Sequence, residues 1–90
     1  MEKNLEKQLD ETFRIPGVTG VLCTDKNGLC LAAKGTAKKQ TSGPISALAR
    51  QAKDVSSQAG TSPVVCIESE TGSVLIKSED GLTVAVFKAS

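Results

Sequence analysis

Between residues 2 and 14, Leu5, Leu9 and Phe13 return at every fourth position, a spacing that puts them on one face of an α-helix. Glu2, Lys3, Glu6, Lys7, Asp10 and Glu11 occupy the other positions and suit solvent. Pro16-Gly17 ends the helix, because the residue before a proline is pushed out of the α region. Residues 18–24 and 29–34 are apolar-rich and read as two strands on either side of Asp25-Lys26-Asn27-Gly28. Asn27-Gly28 suits the positive φ of a tight turn, so the two strands form an antiparallel hairpin.

Residues 35–43 are polar and read as a surface connection. Pro44 fits the first turn of a second helix over residues 44–59, where its missing N–H costs nothing. The periodicity assigns Ile45, Leu48, Ala49, Ala52 and Val55 to the buried face. Ser46, Ala47, Arg50, Asp54, Ser57 and Gln58 fall on the outer face, and several are short enough to let another backbone approach. Gly60 follows as a closing C′ residue. Three strands then follow at 63–69, 73–78 and 82–88, joined by turns at Glu70-Thr71-Gly72 and Glu79-Asp80-Gly81. The apolar runs Val64-Val65-Cys66-Ile67 and Val74-Leu75-Ile76 do not alternate, which predicts a sheet covered on both faces. The order α-β-β-α-β-β-β predicts an α+β fold, a five-stranded antiparallel sheet with helices on both faces.

At 90 residues the chain holds one domain, residues 1–90. Phe13 and Phe87 are its only aromatic residues, so Val, Leu, Ile and Ala must fill the core. Lys and Arg number 11 against 10 Asp and Glu, a formal net charge of +1. Nucleic-acid binding calls for a basic excess on one face, and Lys38-Lys39 is the only adjacent basic pair, so no nucleic-acid partner is expected. No apolar run approaches the roughly 20 residues that span a bilayer, and Met1-Glu2-Lys3-Asn4 carries neither a signal segment nor a myristoylation pattern. The expected location is the cytoplasm, without direct membrane insertion.

The chain has no histidine, which removes the commonest general base near neutral pH and any Cys–His or Ser–His nucleophile. Cys23, Cys30 and Cys66 form no C-x-x-C pair, and each lies in an apolar stretch. They are expected to be reduced, metal-free and mostly buried. Lys34-Gly35-Thr36 is similar to the end of a phosphate-binding loop, but Ala33 stands where that pattern needs a glycine. Glu68 and Glu70 suit solvated charge near a strand end, where they discourage edge aggregation. Arg14 and Arg50, the only arginines, carry no phosphoryl-transfer signature around them. The residues point to no catalytic, cofactor or metal site, and so to a protein that binds other proteins.

The element order resembles the roadblock (dynein light chain 7-like) family. Gly20-Val-Leu-Cys-Thr-Asp25, Pro63-Val-Val-Cys-Ile-Glu-Ser69 and Asp80-Gly-Leu-Thr-Val-Ala-Val86 carry the likeness into sequence, together with Ile45-Ser46 and Gln51-Ala52. Within that family they are most similar to the branch found in Ragulator, the late endosomal and lysosomal adaptor and activator of MAPK and mTOR. The resemblance implies a scaffold subunit that supports Rag GTPase recruitment to lysosomes and amino-acid signalling to mTOR complex 1. It implies a roadblock-like heterodimer partner, the fourth Ragulator subunit. It also implies a lipidated subunit that wraps the assembly and anchors it to the cytosolic face of the lysosome. A regulator of small GTPases and a dynein-associated light chain are the alternatives that the family offers.

Family members pair through the second helix and the strand after it. The expected partner interface is therefore Ala47, Arg50 and Asp54 on the helix with Val64, Val65, Cys66, Ile67, Glu68 and Ser69 on the strand. Roadblock domains commonly carry a third helix after the fifth strand, and only Lys88, Ala89 and Ser90 follow Phe87 here. With that helix missing, a strip of apolar sheet beside the first helix is expected to be bare, as binding surfaces are.

Overall fold

The computed structural model describes residues 2–55, 63–79 and 81–89. A first helix, α1 (Glu2–Phe13), leads into the hairpin β1 (Val18–Asp25) and β2 (Cys30–Gly35). A short 3-10 turn (Lys39–Thr41) runs directly into α2 (Ser42–Val55). The meander β3 (Val64–Ser69), β4 (Gly72–Glu79) and β5 (Leu82–Ala89) completes a five-stranded sheet of order β2-β1-β5-β4-β3. Every neighbouring pair is antiparallel, so the predicted α+β architecture stands. Helix α2 begins two residues earlier than expected, with Pro44 still inside its first turn. The expected stretch 56–59 of that helix, Gly60 and Asp80 lie outside the described residues.

The β1–β2 turn is built on Asp25. Its Oδ1 accepts from the backbone N–H groups of Asn27 and Leu29 at 2.9 Å each, and Gly28 takes a φ of +87°. Leu29 is thereby drawn into the turn, and β2 starts at Cys30 instead of Leu29. Pairing then shifts between Cys23↔Ala32 and Thr24↔Cys30, leaving Leu31 as an extra residue on the edge strand. Gly72 was expected for turn conformation, but space is what requires it. A Cβ there would collide with the carbonyl oxygen of Lys88 on β5.

Successive β1 side chains feed two cores. Leu22 packs with Ile45 and Ala49 of α2 and with Ile76 and Ala85, flanked by Val65, Val74 and Phe87. Val21 and Cys23 pack on the other face against Leu9 of α1, flanked by Leu5, Val18, Ala32, Leu82 and Val84. Asp10 of α1 and Lys34 of β2 form an ion pair that ties the helix to the hairpin. Lys34 thus has a structural partner, which accounts for it without a phosphate.

Two-sided cover does not extend to β3. All of its residues but Val65 are exposed, so the run Val64–Ile67 is not explained by burial within this chain. Phe13, expected to be covered with Leu5 and Leu9, is also exposed at the end of α1.

Replacing Gly72 with Ala should push β4 and β5 apart and lower stability by about 1–3 kcal/mol, as overpacking does. Urea unfolding checks this, and an unchanged midpoint would contradict the close approach.

Candidate interaction surface

Helix α2 is rotated from the orientation its apolar periodicity predicts. Ser42, Ile45, Ser46 and Ala49 are the residues it buries. At about 100° per residue, Ser42, Ser46 and Ala49 fall to one side of Ile45, and Leu48 and Val55 fall to the other. Ser46, placed by its polarity on the outer face, is only 2% exposed and lies beside Gly28 of the β1–β2 turn. Serine is small enough to let the helix approach that turn closely. The cost of the rotation falls on Leu48 and Val55, expected in the core but 36% and 85% exposed.

Strand β3 lies at the sheet margin, paired with β4 on one side only. Val64 and Ile67 are 57% and 44% exposed. Cys66, Glu68 and Ser69 are exposed as well, and Val65 is half-buried against the α2 core. Of the three expected helix positions, Arg50 and Asp54 are exposed and Ala47 is half-buried. The structure therefore groups the expected strand and helix residues on two elements in contact, α2 and β3. Leu48 and Val55 are the apolar members of this surface that sequence reasoning missed. The available signal was an apolar arc on α2 too wide for one line of contact with a sheet.

On the opposite face an open groove of about 360 Å³ runs beside α1. Its wall is Leu5, Gln8, Leu9 and Thr12, and its floor is Val64, Leu75, Lys77, Val84 and Val86. This is where a bare apolar strip was expected.

A model of the family described as Ragulator complex protein LAMTOR5 matches residues 1–88. The chain belongs to the Ragulator LAMTOR5 family. It is 44% identical over 88 residues to a LAMTOR5 homologue of Nematostella vectensis, covering 98% of this chain and 97% of that one. It is 43% identical over 90 residues to Ragulator complex protein LAMTOR5 of Xenopus tropicalis, covering 100% of this chain and 99% of that one. Among solved structures, the gliding protein MglB of Thermus thermophilus superposes with a TM-score of 0.78 at 15% identity, over 98% of this chain and 73% of that one. A Roadblock/LC7 domain from Streptomyces avermitilis gives 0.72 at 17% identity, over 92% and 73%. These structural likenesses establish the Roadblock/LC7 fold.

For a LAMTOR5-family chain, the question at this surface is recognition. Glu68, Glu70, Arg14 and Arg50 are all exposed. Among the described residues, no three of the His, Cys, Asp and Glu side chains group to hold a metal ion, and no helix is long and apolar enough to cross a membrane.

The cysteines divide by position. Cys23 is buried, and its thiol pKa is raised, first by burial and then by the neighbouring Cys30. Cys30 is half-buried. Cys66, expected to be buried, is exposed because it sits on the edge strand, with its Sγ 3.7 Å from Glu68 Oε1. A thiol reagent applied to the folded protein should label Cys66 first and Cys23 last. Mass spectrometry over a labelling time course reads the order, and rapid modification of Cys23 would contradict the buried assignment.

Proposed function

We propose that this chain is a non-catalytic scaffold subunit of a Ragulator complex, pairing with a second roadblock-like subunit through α2 and the outer edge of β3. The observation that carries the reading is that β3, with Val64 and Ile67 exposed, has no further strand on its outer side among the described residues, and that it touches α2, a helix with Leu48 and Val55 exposed. Backbone N–H and C=O groups on such an edge invite a partner strand, and the apolar side chains beside it give up water when one arrives. The fourth Ragulator subunit is the proposed partner. Through the assembly the chain supports Rag GTPase recruitment at the cytosolic face of the lysosome or late endosome, and amino-acid signalling to mTOR complex 1. The groove beside α1 receives a helix of the lipidated subunit that wraps the complex, which supplies the membrane anchor.

Two substitutions test the pairing. Leu48→Asp places a carboxylate in the interface at a position the isolated fold leaves partly exposed. It should weaken binding to the roadblock-like partner by roughly 2–4 kcal/mol, thirtyfold or more, with the circular dichroism spectrum unchanged. Val65→Pro removes a backbone donor from β3 and should abolish pairing. Titration calorimetry against the purified fourth subunit checks both, and wild-type affinity in a folded Leu48→Asp protein would reject this interface.

A further inference from the structure

Among the described residues that line the groove beside α1, one is charged, and it is a cation, Lys77. Lys77 on β4 stands directly opposite Val64 of β3 and Val84 of β5, on the face that carries Leu75 and Val86. Among the described residues it has no ion-pair partner, and the Asp10 carboxylate of α1 is paired with Lys34 of β2. The remaining polar lining groups are neutral. Thr12 already donates its Oγ1 hydroxyl to the Gln8 carbonyl oxygen at 2.9 Å.

We infer that Lys77 makes this groove selective for a helix that carries a carboxylate on the border of its apolar face. The inference rests on the reading that a partner helix lies in the groove, and it specifies the chemistry of that helix. The floor is the face of a sheet, so an occupant lying on it meets the side chains of Leu75, Lys77, Val84 and Val86, while the outer edge of β3 lies at the groove's rim. One wall is a helix, so a second helix laid alongside completes a layer of ordinary packing. Covering the groove with purely apolar surface would strip water from the Lys77 ammonium and leave it without a counter-charge, a penalty that a facing Asp or Glu removes. A helix with lysine at that border would add like-charge repulsion.

The experiment uses the full chain and two fluorescein-labelled helical peptides. Both carry Leu at i, i+3, i+4 and i+7, and they differ only in Glu against Gln at the positions bordering the stripe. Fluorescence anisotropy should show the Glu peptide binding about two- to fivefold more tightly, with the preference shrinking at about 0.5 M salt. Lys77→Gln should equalise the two peptides while both still bind, and Lys77→Glu should reverse their order. Lys77 is exposed, so neither variant disturbs the core. Equal affinity of both peptides for the wild-type chain would overturn the selectivity and leave the groove as a helix site. Binding of neither peptide would overturn the groove reading as well. Self-association of the chain that Lys77→Glu alters, seen by analytical ultracentrifugation, would assign the groove to a second copy and overturn the inference.

Discussion

Five strands side by side place the outer two roughly 19 Å apart, and an α-helix with its side chains is about 10–12 Å across. A single helix lying on a face of this sheet therefore leaves part of that face uncovered. Helix α1 spends its apolar stripe on the β1 side, where Leu9 meets Val21 and Cys23. The β3–β5 side of the same face is left as the groove floored by Leu75, Val84 and Val86. On the other face α2 contacts β1, β5, β4 and β3. Its buried arc seats Ile45 and Ala49 on Leu22, Ile76 and Ala85 and puts Ser46 beside the β1–β2 turn, with Leu48 and Val55 left outward.

The centre of the sheet tolerates this economy of cover because β1 is buried on both sides. Val21, Leu22, Cys23 and Thr24 are fully covered, and Thr24 pairs in register with buried Thr83 of β5. Among the described residues no buried side-chain nitrogen or oxygen lacks a hydrogen-bond partner. Thr24, for example, donates its hydroxyl to the Asp25 carbonyl at 2.9 Å. The order at the centre lets the periphery remain open. Among the described residues the two open regions have different chemistry, an unpaired strand edge with exposed Val64 and Ile67 on one side and a groove with a single cation, Lys77, on the other. A subunit of a multi-protein complex needs separate surfaces of this kind, and membership in the LAMTOR5 family accords with both.

The element order and the β1–β2 turn at Asp25–Gly28 were legible in the amino-acid sequence. Each depends on local chemistry: apolar spacing and a turn dipeptide. The strand after the second helix, singled out through the resemblance, lies at the sheet margin. Periodicity alone misread Val64–Ile67 as a strand covered within its own chain. An apolar residue left exposed on an edge strand has the same composition as one buried in a core.

What the tertiary structure decided is rotation, register and neighbourhood. Ile45, Leu48, Ala49, Ala52 and Val55 make one apolar stripe on paper, and only the helix's seat on the sheet, through Ile45 and Ala49, chooses which part of it faces inward. Glycine at position 72 is written in the sequence, but its reason, the nearness of the Lys88 carbonyl, exists only once β4 and β5 pair. Lys77 is one lysine among many until the register sets it between Val64 and Val84. The sequence by itself determined which segments become helix and strand, since those preferences act over a few residues. The apolar surfaces left exposed came from long-range packing, which local preferences do not encode.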